Sequence, residues 1–341
     1  MPYFRGLELF RYRLDLLKPI YHKENKITYR EGYLLKLKVG EKAVFGEAAP
    51  LPFFHQETMA SCLLEMRYLK ENIEKIRIRP QKDFCLKKPF LGMFSLEKGF
   101  SGCSMWAIEG ALFQIYRPFF SSYKISLSQL YYLEDLLRLR KAPRGAIKVK
   151  LNGSDEKEVE AFLGFLREQK EGDLQMKVDA NQSFSKEGFL AFTEKLPEKS
   201  ALYYLEEPTK EKLEHANVPI ALDESLWEIE PEDFRPDTFV KALSIKPSKM
   251  GGLSKAAGWI ECAAKYGLEI SLSSAYESGM SLLLYAHLAR EYKIDQEKMG
   301  LGGYRFLKQD IFYQKMDLNK EKVKTPMMPK DIHFSLLERV L

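Results

Sequence analysis

The sequence predicts an α/β barrel preceded by a smaller α+β domain, and two patterns support this prediction. Between about residues 142 and 274, short apolar runs alternate with segments of helical periodicity, as expected of repeated βα units. The apolar runs cover residues 146–150, 174–179, 203–206, 220–223, 242–246 and 269–273, and the helical segments cover residues 156–169, 186–195 and 253–266. Nearer the N-terminus, the alternating residues 33–39 indicate an antiparallel strand, followed by a helix over about residues 57–73.

The spacing of the strand ends favours a closed barrel over an open sheet. The steps from Lys150 to Asp179, Glu206, Asp223 and Lys246 are 29, 27, 17 and 23 residues, compared with roughly 25–30 residues for a βα unit in a barrel. In an open parallel sheet the ligand lies at one switch point, so groups at five strand ends would not all meet. In a barrel every strand end faces one mouth, and these polar side chains are expected to converge there.

Composition disfavours several classes of protein. The chain is 45% hydrophobic and 30% charged, which is typical of a folded globular protein rather than a disordered one. Its formal charge of +5 is spread along the sequence, which disfavours nucleic acid as a partner. There is no signal-type N-terminal segment, no run of about 18 apolar residues and no CxxC pair. We therefore expect a cytoplasmic protein that contacts no membrane, and its oligomeric state is left open.

Three carboxylates, Asp179, Glu206 and Asp223, close successive apolar runs. An unpaired negative charge is costly to bury, so a positive group is expected among them. Oxygen ligands from three separate strands suit a hard octahedral ion, which predicts Mg²⁺, with Mn²⁺ as an alternative, rather than zinc. For each carboxylate taken alone, a salt bridge or a helix cap is the alternative interpretation.

Lysines flank the same strand ends. Lys148 and Lys150 share one face of a strand because side chains alternate with a period of two, and Lys246 ends a later strand. Crowding by each other and by a metal ion would lower a lysine pKa towards neutrality, as a general base requires. Together with a divalent ion, which stabilises an enediolate, such a base can abstract the α-proton of a carboxylate. Surface lysines on a strand edge are the alternative for Lys148 and Lys150.

Five short motifs stand at these strand ends. They are Lys148-x-Lys150 and residues 178–181 (VDAN), 205–208 (LEEP), 222–225 (LDES) and 245–248 (IKPS). In order and approximate spacing they resemble the enolase superfamily, in the branch that contains muconate-lactonizing enzymes, and the resemblance extends over about residues 30–305. It implies a (β/α)7β modified TIM barrel over residues 103–311. It also implies an α+β capping domain over residues 1–102, completed by about residues 312–341.

The resemblance implies a role for each residue at the barrel mouth. Lys150 would be the principal acid and base, Lys148 its companion, and Lys246 would lie across the substrate. Glu207, which adjoins a metal ligand, should point away from the barrel axis. The implied Mg²⁺ site has three ligands and two supporting residues, which are respectively Asp179, Glu206 and Asp223, and Asn181 and Glu224.

Loop segments favour the o-succinylbenzoate synthases within this superfamily. Residues 272–279 (LSSAYESG), 50–58 (PLPFFHQET) and 300–303 (GLGG) are similar to the substrate loops and the barrel-closing turn of those lyases. In the first segment, backbone N–H groups would receive a substrate carboxylate. The histidine expected nearest the substrate is His55. The implied substrate contacts are Ser273, Ser274, Ala275, Tyr276, Leu51 and Phe54.

The implied reaction is a Mg²⁺-dependent syn dehydration in menaquinone biosynthesis. It converts 2-succinyl-6-hydroxy-2,4-cyclohexadiene-1-carboxylate into o-succinylbenzoate, so the expected partner is a small-molecule carboxylate. N-succinylamino-acid racemase and dipeptide epimerase are the alternatives, because enzymes of this superfamily share the same core. Dipeptide epimerases hold a substrate ammonium with an Asp-x-Asp motif, and none occurs between Ser271 and Met299.

Overall fold

The computed structural model describes residues 4–22, 25–75, 77–78, 91–92, 99–123, 129–139, 143, 145–169, 174–197, 201–294, 299–318, 323–326 and 328–341. Its strands are β1 (Phe4–His22), β2 (Asn25–Val39), β3 (Lys42–Ala48), β4 (Arg77–Ile78), β5 (Leu91–Gly92), β6 (Ser122–Tyr123), β7 (Gln129–Tyr132), β8 (Gly145–Lys150), β9 (Leu174–Asp179), β10 (Leu202–Glu206), β11 (Ile220–Leu222), β12 (Val240–Ile245), β13 (Glu269–Leu272), β14 (Val323–Lys324) and β15 (Leu337–Arg339). Its α-helices are α1 (Met59–Glu71), α2 (Gly102–Tyr116), α3 (Leu133–Leu137), α4 (Glu156–Glu168), α5 (Lys186–Glu194), α6 (Pro247–Met250), α7 (Leu253–Tyr266) and α8 (Gly279–Glu291).

The N-terminal strands form an antiparallel sheet in the order β15, β1, β2, β3. Alternation along β1 and β2 places Leu9 opposite Leu35, and both side chains are fully buried. Helix α2 packs directly on β3, because a Cβ atom at Gly46 would overlap the carbonyl oxygen of Ala107. Since the same helix also contacts α6 and α7, it lies between this sheet and the second sheet of the molecule.

The second sheet contains seven parallel strands in sequential order, from β7 to β13. Parallel pairing places Lys150 beside Asp179, and Asp179 beside Glu206, so the ends of β8, β9 and β10 lie at one level. After β13, Ser273 forms a parallel bridge to Gly300, which brings the chain back alongside the sheet. The predicted barrel with an N-terminal α+β unit is thereby confirmed.

Helices α4, α5 and α7 match the predicted helical segments to within one residue at each end. Each begins at a side-chain or glycine cap: Asp155 accepts two backbone N–H groups at α4, and Ser185 accepts one at α5. The short step from Glu206 to Asp223 has a structural cause, because residues 207–219 contain no helix and lead directly into β11.

The C-terminal residues return to the first sheet. β15 pairs with β1, with Phe10 opposite Arg339, which is the arrangement expected if residues 312–341 complete the capping domain. The domain limits at residues 102 and 311 remain a prediction. Among the described helices, none has the length and apolar character needed to cross a bilayer.

Candidate active site

A cavity of about 1030 Å³ opens where the parallel strands end. The strand ends and following loops form its floor and one wall, and the capping sheet and its loops contribute Ile20, Tyr21, Leu51, Phe53 and Phe54. Its position at the carboxyl end of a barrel is where active sites of this architecture lie.

The three predicted metal ligands are deeply buried at this mouth. Asp179 and Glu206 are the last residues of β9 and β10, and Asp223 follows β11; they are 4%, 1% and 0% exposed. The Lys148 ammonium lies between the first two, with its Nζ 2.9 Å from Asp179 Oδ2 and 2.8 Å from Glu206 Oε2. Buried carboxylates are therefore paired with a buried cation, as their desolvation cost requires.

The other two lysines also lie at the mouth. Lys246 forms a short ion pair with Asp223 Oδ2. The Lys150 Nζ donates a hydrogen bond of 3.1 Å to Asn181 Oδ1 and lines the cavity. The structure thus brings together all three predicted lysines and all three predicted carboxylates.

Pairing of opposite charges determines the pKa shifts of Asp179, Lys148 and Lys150. Burial acts to raise the pKa of Asp179, but the charges of Lys148, Lys150 and Lys246 lower it to about 2. Burial acts to lower the pKa of both Lys148 and Lys150, but nearby carboxylate charge, chiefly that of Asp179, raises each above its usual value. At these two lysines the carboxylates outweigh the neighbouring ammonium groups. The expectation that crowding together with a metal ion lowers a lysine pKa stays a prediction for them.

The pKa of Lys246 is shifted in the direction that the sequence predicts for a general base. Burial lowers its pKa to about 8, and the charges of Lys148 and Lys150 act in the same direction. The three lysines are therefore not equivalent, since Lys246 alone among them has a pKa shifted towards neutrality.

The donor set fits a hard divalent cation, although the side chains are arranged around lysines. Among the described residues, no group of three or more His, Cys, Asp or Glu side chains is placed so that it could hold a metal ion, and the three carboxylates as metal ligands stay a prediction. Lys148 and Lys246 lie among the carboxylates instead. However, the Asp223 Oδ1 and Glu224 Oε2 atoms are buried with no hydrogen-bond partner. Unpartnered buried carboxylate oxygens are the groups that a cation satisfies.

The two predicted supporting residues contact each other. Asn181 has a left-handed backbone, with φ of 45°, and its Nδ2 donates a 3.3 Å hydrogen bond to Glu224 Oε1. Burial, followed by the negative charge of Asp179, raises the pKa of Glu224 to about 8. Asn181 therefore joins the Lys150 ammonium to an acidic side chain of the neighbouring loop.

Glu207 holds the loop that carries Asp223. Its Oε1 accepts 3.1 Å hydrogen bonds from the backbone N–H groups of Asp223 and Ser225, and its Oε2 accepts one of 3.0 Å from the Ser225 hydroxyl. Glu207 is not among the residues that line the cavity, which agrees with the predicted direction of its side chain. The pattern of two adjacent acidic residues did not reveal this supporting role.

The capping loop supplies apolar contacts at the cavity. Leu51 and Phe54 line it as predicted, and the Lys246 Nζ lies 5.9 Å from the centroid of the Phe54 ring. His55 is buried behind them, where its Nδ1 accepts a 2.9 Å hydrogen bond from the Leu51 backbone N–H. Burial lowers the pKa of His55 to about 3, so this histidine is neutral and supports the loop.

Residues Ser273, Ser274, Ala275 and Tyr276 line the cavity as predicted. The expected backbone donors are already used, however. The N–H of Ser273 donates to Ile245, that of Ser274 to Gly300, and that of Ala275 to the Glu277 carboxylate, at 2.9, 3.2 and 2.5 Å. These three amides are therefore not available to a substrate carboxylate in this structure, whereas the Ser274 Oγ is buried without a partner.

Arg30 joins the capping loop to the loop after β13 through hydrogen bonds. The sequence motifs did not predict this role. Its guanidinium, 1% exposed, donates to the carbonyl oxygens of Ala49, Pro50 and Tyr276 at 2.7, 3.2 and 3.2 Å. A charged residue at an inward-facing position of a strand was the signal that could have revealed it.

Comparisons with known proteins agree with this architecture. Residues 133–329 match the family described as enolase C-terminal domain-like, and residues 4–82 match the MenC N-terminal domain. A protein named o-succinylbenzoate synthase from Yersinia enterocolitica is 28% identical over 303 residues, covering 84% of this chain and 86% of that protein.

Solved structures share the fold. An enolase superfamily member from Roseovarius nubinhibens, complexed with magnesium, has a TM-score of 0.73 at 16% identity and covers 100% of this chain and 99% of its own. The L-Ala-D/L-Glu epimerase from Bacillus subtilis, in a substrate-liganded complex, has a TM-score of 0.70 at 17% identity, covering 95% and 96%.

Proposed function

Because the chain belongs to the enolase superfamily of enzymes, as the match over residues 133–329 shows, we propose that it is an o-succinylbenzoate synthase. The proposed reaction removes water from 2-succinyl-6-hydroxy-2,4-cyclohexadiene-1-carboxylate, and we place it in the cytoplasm. The observation that carries the proposal is the position of Lys150 in the cavity wall, beside the buried Asp179, which in turn pairs with Glu206. The relatives of that name, and the match to the MenC N-terminal domain, support this activity within the superfamily.

Asp179, Glu206 and Asp223 would hold the Mg²⁺ ion, with Mn²⁺ as an alternative. When bound, a divalent ion offsets the negative charge that develops as the α-proton leaves, and it lowers the pKa of nearby ammonium groups.

Lys150 carries the proton transfer. Its neutral amine removes the α-proton of the substrate, and the resulting ammonium returns that proton to the hydroxyl group on the same face. One C–H bond and one C–O bond break, the ring becomes aromatic, and water leaves. Asn181 orients the amine through its 3.1 Å hydrogen bond. A single positioned base is sufficient because both proton transfers take place on one side of the ring.

The other two lysines balance charge and shape the substrate site. Lys148 neutralises Asp179 and Glu206 through contacts of 2.9 and 2.8 Å. Lys246 reaches the cavity beside Phe54 and provides a cationic surface for the substrate ring. A desolvated cation over a ring contributes about 1–2 kcal/mol.

A racemase of N-succinylamino acids is the second candidate, and one observation favours it. Lys150 and Lys246 both line the cavity, and burial lowers the pKa of Lys246 to about 8, as a second base requires. The L-Ala-D/L-Glu epimerase from Bacillus subtilis shares the fold. A dipeptide epimerase is disfavoured, because residues 271–299 lack the Asp-x-Asp motif.

The test is a direct ultraviolet assay of o-succinylbenzoate formation by the purified protein. We expect product with Mg²⁺, loss of activity with a chelator, and recovery when excess Mg²⁺ is restored. In parallel, N-succinylamino acids are incubated in D₂O and analysed by mass spectrometry for α-deuterium. Absence of o-succinylbenzoate together with rapid α-exchange would reject the dehydratase proposal in favour of the racemase.

A further inference from the structure

Tyr132 occupies a position at the mouth that the proposed mechanism does not use. It is the last residue of β7, and the parallel register pairs it with Lys150 on β8. Paired residues on adjacent strands project to the same face of the sheet. Both side chains line the same cavity. Tyr132 is therefore the neighbour of the proposed base on the first strand of the sheet.

The Tyr132 phenol interacts with a second tyrosine and with Lys150. Burial raises the pKa of Tyr132, a hydrogen bond to the Tyr276 side chain acts in the same direction, and the positive charge of Lys150 opposes them. The charges of both tyrosines in turn act on the pKa of Lys150. Two hydroxyl groups and one ammonium group thus form a single polar edge of the cavity.

The second tyrosine is held rigidly. Tyr276 has a left-handed backbone, with φ of 62°, and its carbonyl oxygen accepts a 3.2 Å hydrogen bond from the Arg30 Nε. Its ring packs edge-on against Phe306 at 5.8 Å. On another side it meets Gly303, where an added Cβ would lie 2.9 Å from the ring. Tyr276 is therefore a fixed part of the cavity lining that it shares with Tyr132.

A packing role alone does not explain a phenol at this position. The neighbouring Tyr131 lies on the opposite face of β7, where it packs against apolar residues of the barrel and donates to Gln129. Tyr132 instead places a hydroxyl donor in the cavity beside the amine that handles the proton. A donor placed there can reach an oxygen that lies on the Lys150 side of a bound substrate.

We propose that the Tyr132 hydroxyl donates a hydrogen bond to the substrate hydroxyl group that departs beside Lys150. This inference rests on the proposed function. Lys150 supplies the proton to the departing oxygen, the C–O bond breaks with its electron pair on that oxygen, and water leaves. Tyr132 keeps its own proton throughout and stabilises the negative charge that develops on the oxygen.

The proposal predicts an effect on the second half of the reaction. Loss of one donor to a developing charge costs up to about 10²–10³-fold in turnover where the donor is fully preorganised. For Tyr132→Phe we expect a fall in kcat of about 10–100-fold and a change in KM of less than about twofold. Removal of the α-proton should continue, because Lys150 and its partner Asn181 are unchanged.

The experiment compares the wild type, Tyr132→Phe and the matched control Tyr131→Phe, which removes a hydroxyl from the opposite face of the same strand. Product formation is followed by ultraviolet absorbance. In D₂O, the substrate recovered at partial conversion is analysed by mass spectrometry for deuterium at the α-carbon. Circular dichroism and thermal unfolding verify that each variant is folded.

We expect Tyr132→Phe to turn over slowly and to leave more deuterium in recovered substrate than the wild type, while Tyr131→Phe behaves as the wild type. A Tyr132→Phe kcat within twofold of the wild type overturns the inference. So does recovered substrate with no more deuterium than the wild type leaves. If the wild type itself forms no o-succinylbenzoate, the proposed function fails, and this inference fails with it.

Discussion

Two groups of buried carboxylates in this molecule are neutralised in different ways. The mouth cluster consists of Asp179, Glu206 and Asp223 with three lysines, Lys148, Lys150 and Lys246. The α8 cluster consists of Glu47, Glu277 and Asp310, which surround the first residues of α8. The first group is balanced by ammonium charges, and the second is balanced mainly by neutral N–H and O–H donors.

The α8 cluster is densely hydrogen-bonded. Glu47 accepts the backbone N–H groups of Ser278 and Ser281 at 2.9 and 3.0 Å, and Asp310 accepts that of Gly279 at 3.0 Å. Glu277 accepts the hydroxyl groups of Ser248 and Tyr285. Negative charge near a helix N-terminus is stabilised by the free N–H groups there. The cluster therefore joins the capping sheet to the loop that lines the cavity.

The difference between the clusters distinguishes a structural site from a reactive one. Backbone N–H groups and hydroxyl groups satisfy the α8 carboxylates. These carboxylates therefore need no additional cation. In the mouth cluster the cations are flexible lysine side chains, and Asp223 Oδ1 has no partner among the described residues. Charges held in that way can exchange an ammonium group for another cation, as the proposed Mg²⁺-dependent reaction would require.

The largest effect should follow from removal of the mouth cluster's base. Lys150→Ala should lower kcat by at least about 10³-fold, because it removes the group that both accepts and donates the proton. Thermal unfolding should stay close to that of the wild type. The control is Lys195→Ala, which removes an exposed lysine paired with Glu160 and should retain activity. A Lys150→Ala enzyme with near wild-type turnover would contradict the assignment.

Binding of Mg²⁺ to the mouth cluster in place of an ammonium group can be measured directly. For the wild type, saturating Mg²⁺ should raise stability by about 2.7 kcal/mol at a concentration 100 times its dissociation constant. Glu206→Gln should lose this Mg²⁺ response, because it removes one of the proposed ligands. The comparison variant is Glu277→Gln in the α8 cluster, which should keep the response from whatever baseline stability it has. Thermal melts with MgCl₂ and with chelator would test this, and an undiminished shift in Glu206→Gln would exclude Glu206 as a ligand.

A substitution in the α8 cluster should lower the stability of the fold rather than the rate of the reaction. Glu47→Gln places an amide where Ser278 and Ser281 present backbone N–H groups, and one unsatisfied buried donor costs about 2 kcal/mol. Urea unfolding should detect this loss, while kcat falls by no more than a few fold. Glu41→Gln on the exposed surface is the control. A Glu47→Gln protein that is as stable as the wild type but inactive would reverse the roles assigned to the two clusters.

Sequence periodicity was sufficient to predict the barrel and the composition of the mouth cluster. A polar residue ends or directly follows most of these apolar strands, so residue identities alone predicted Asp179, Glu206 and Lys246 at strand ends, and the register pairs Asp179 with Glu206. The α8 cluster was not predictable in this way, since the Glu47 contact with Ser278 spans 231 residues. A lone glutamate in the apolar strand β3 was the sequence signal for it.

Hydrogen bonding within loops was also beyond sequence reasoning. The segment 273–276 was predicted to face the substrate, and it does line the cavity, but its first three N–H groups donate inside the protein. Such pairing depends on the exact path of two neighbouring loops, which residue identities do not encode locally. The position of Tyr132 at the mouth was not predicted for a related reason. Its strand, β7, has four residues, which are too few to show a periodic pattern.

The two clusters should also differ in how the stability of the fold depends on pH. Burial raises the pKa of Asp310 to about 6, above its unfolded value near 3.8. A carboxyl group with a raised folded pKa stabilises the fold below pH 4, and this contribution is lost as pH rises through 6. Between these values stability should fall by up to about 1.4 kcal/mol per pH unit from this group. Asp310→Asn should flatten that part of the profile in urea unfolding, whereas Asp179, with a pKa lowered to about 2, contributes almost no slope above about pH 5. An unchanged slope in Asp310→Asn would show that neutral donors already stabilise the ionised form, and the contrast between the clusters would then be one of geometry rather than of charge.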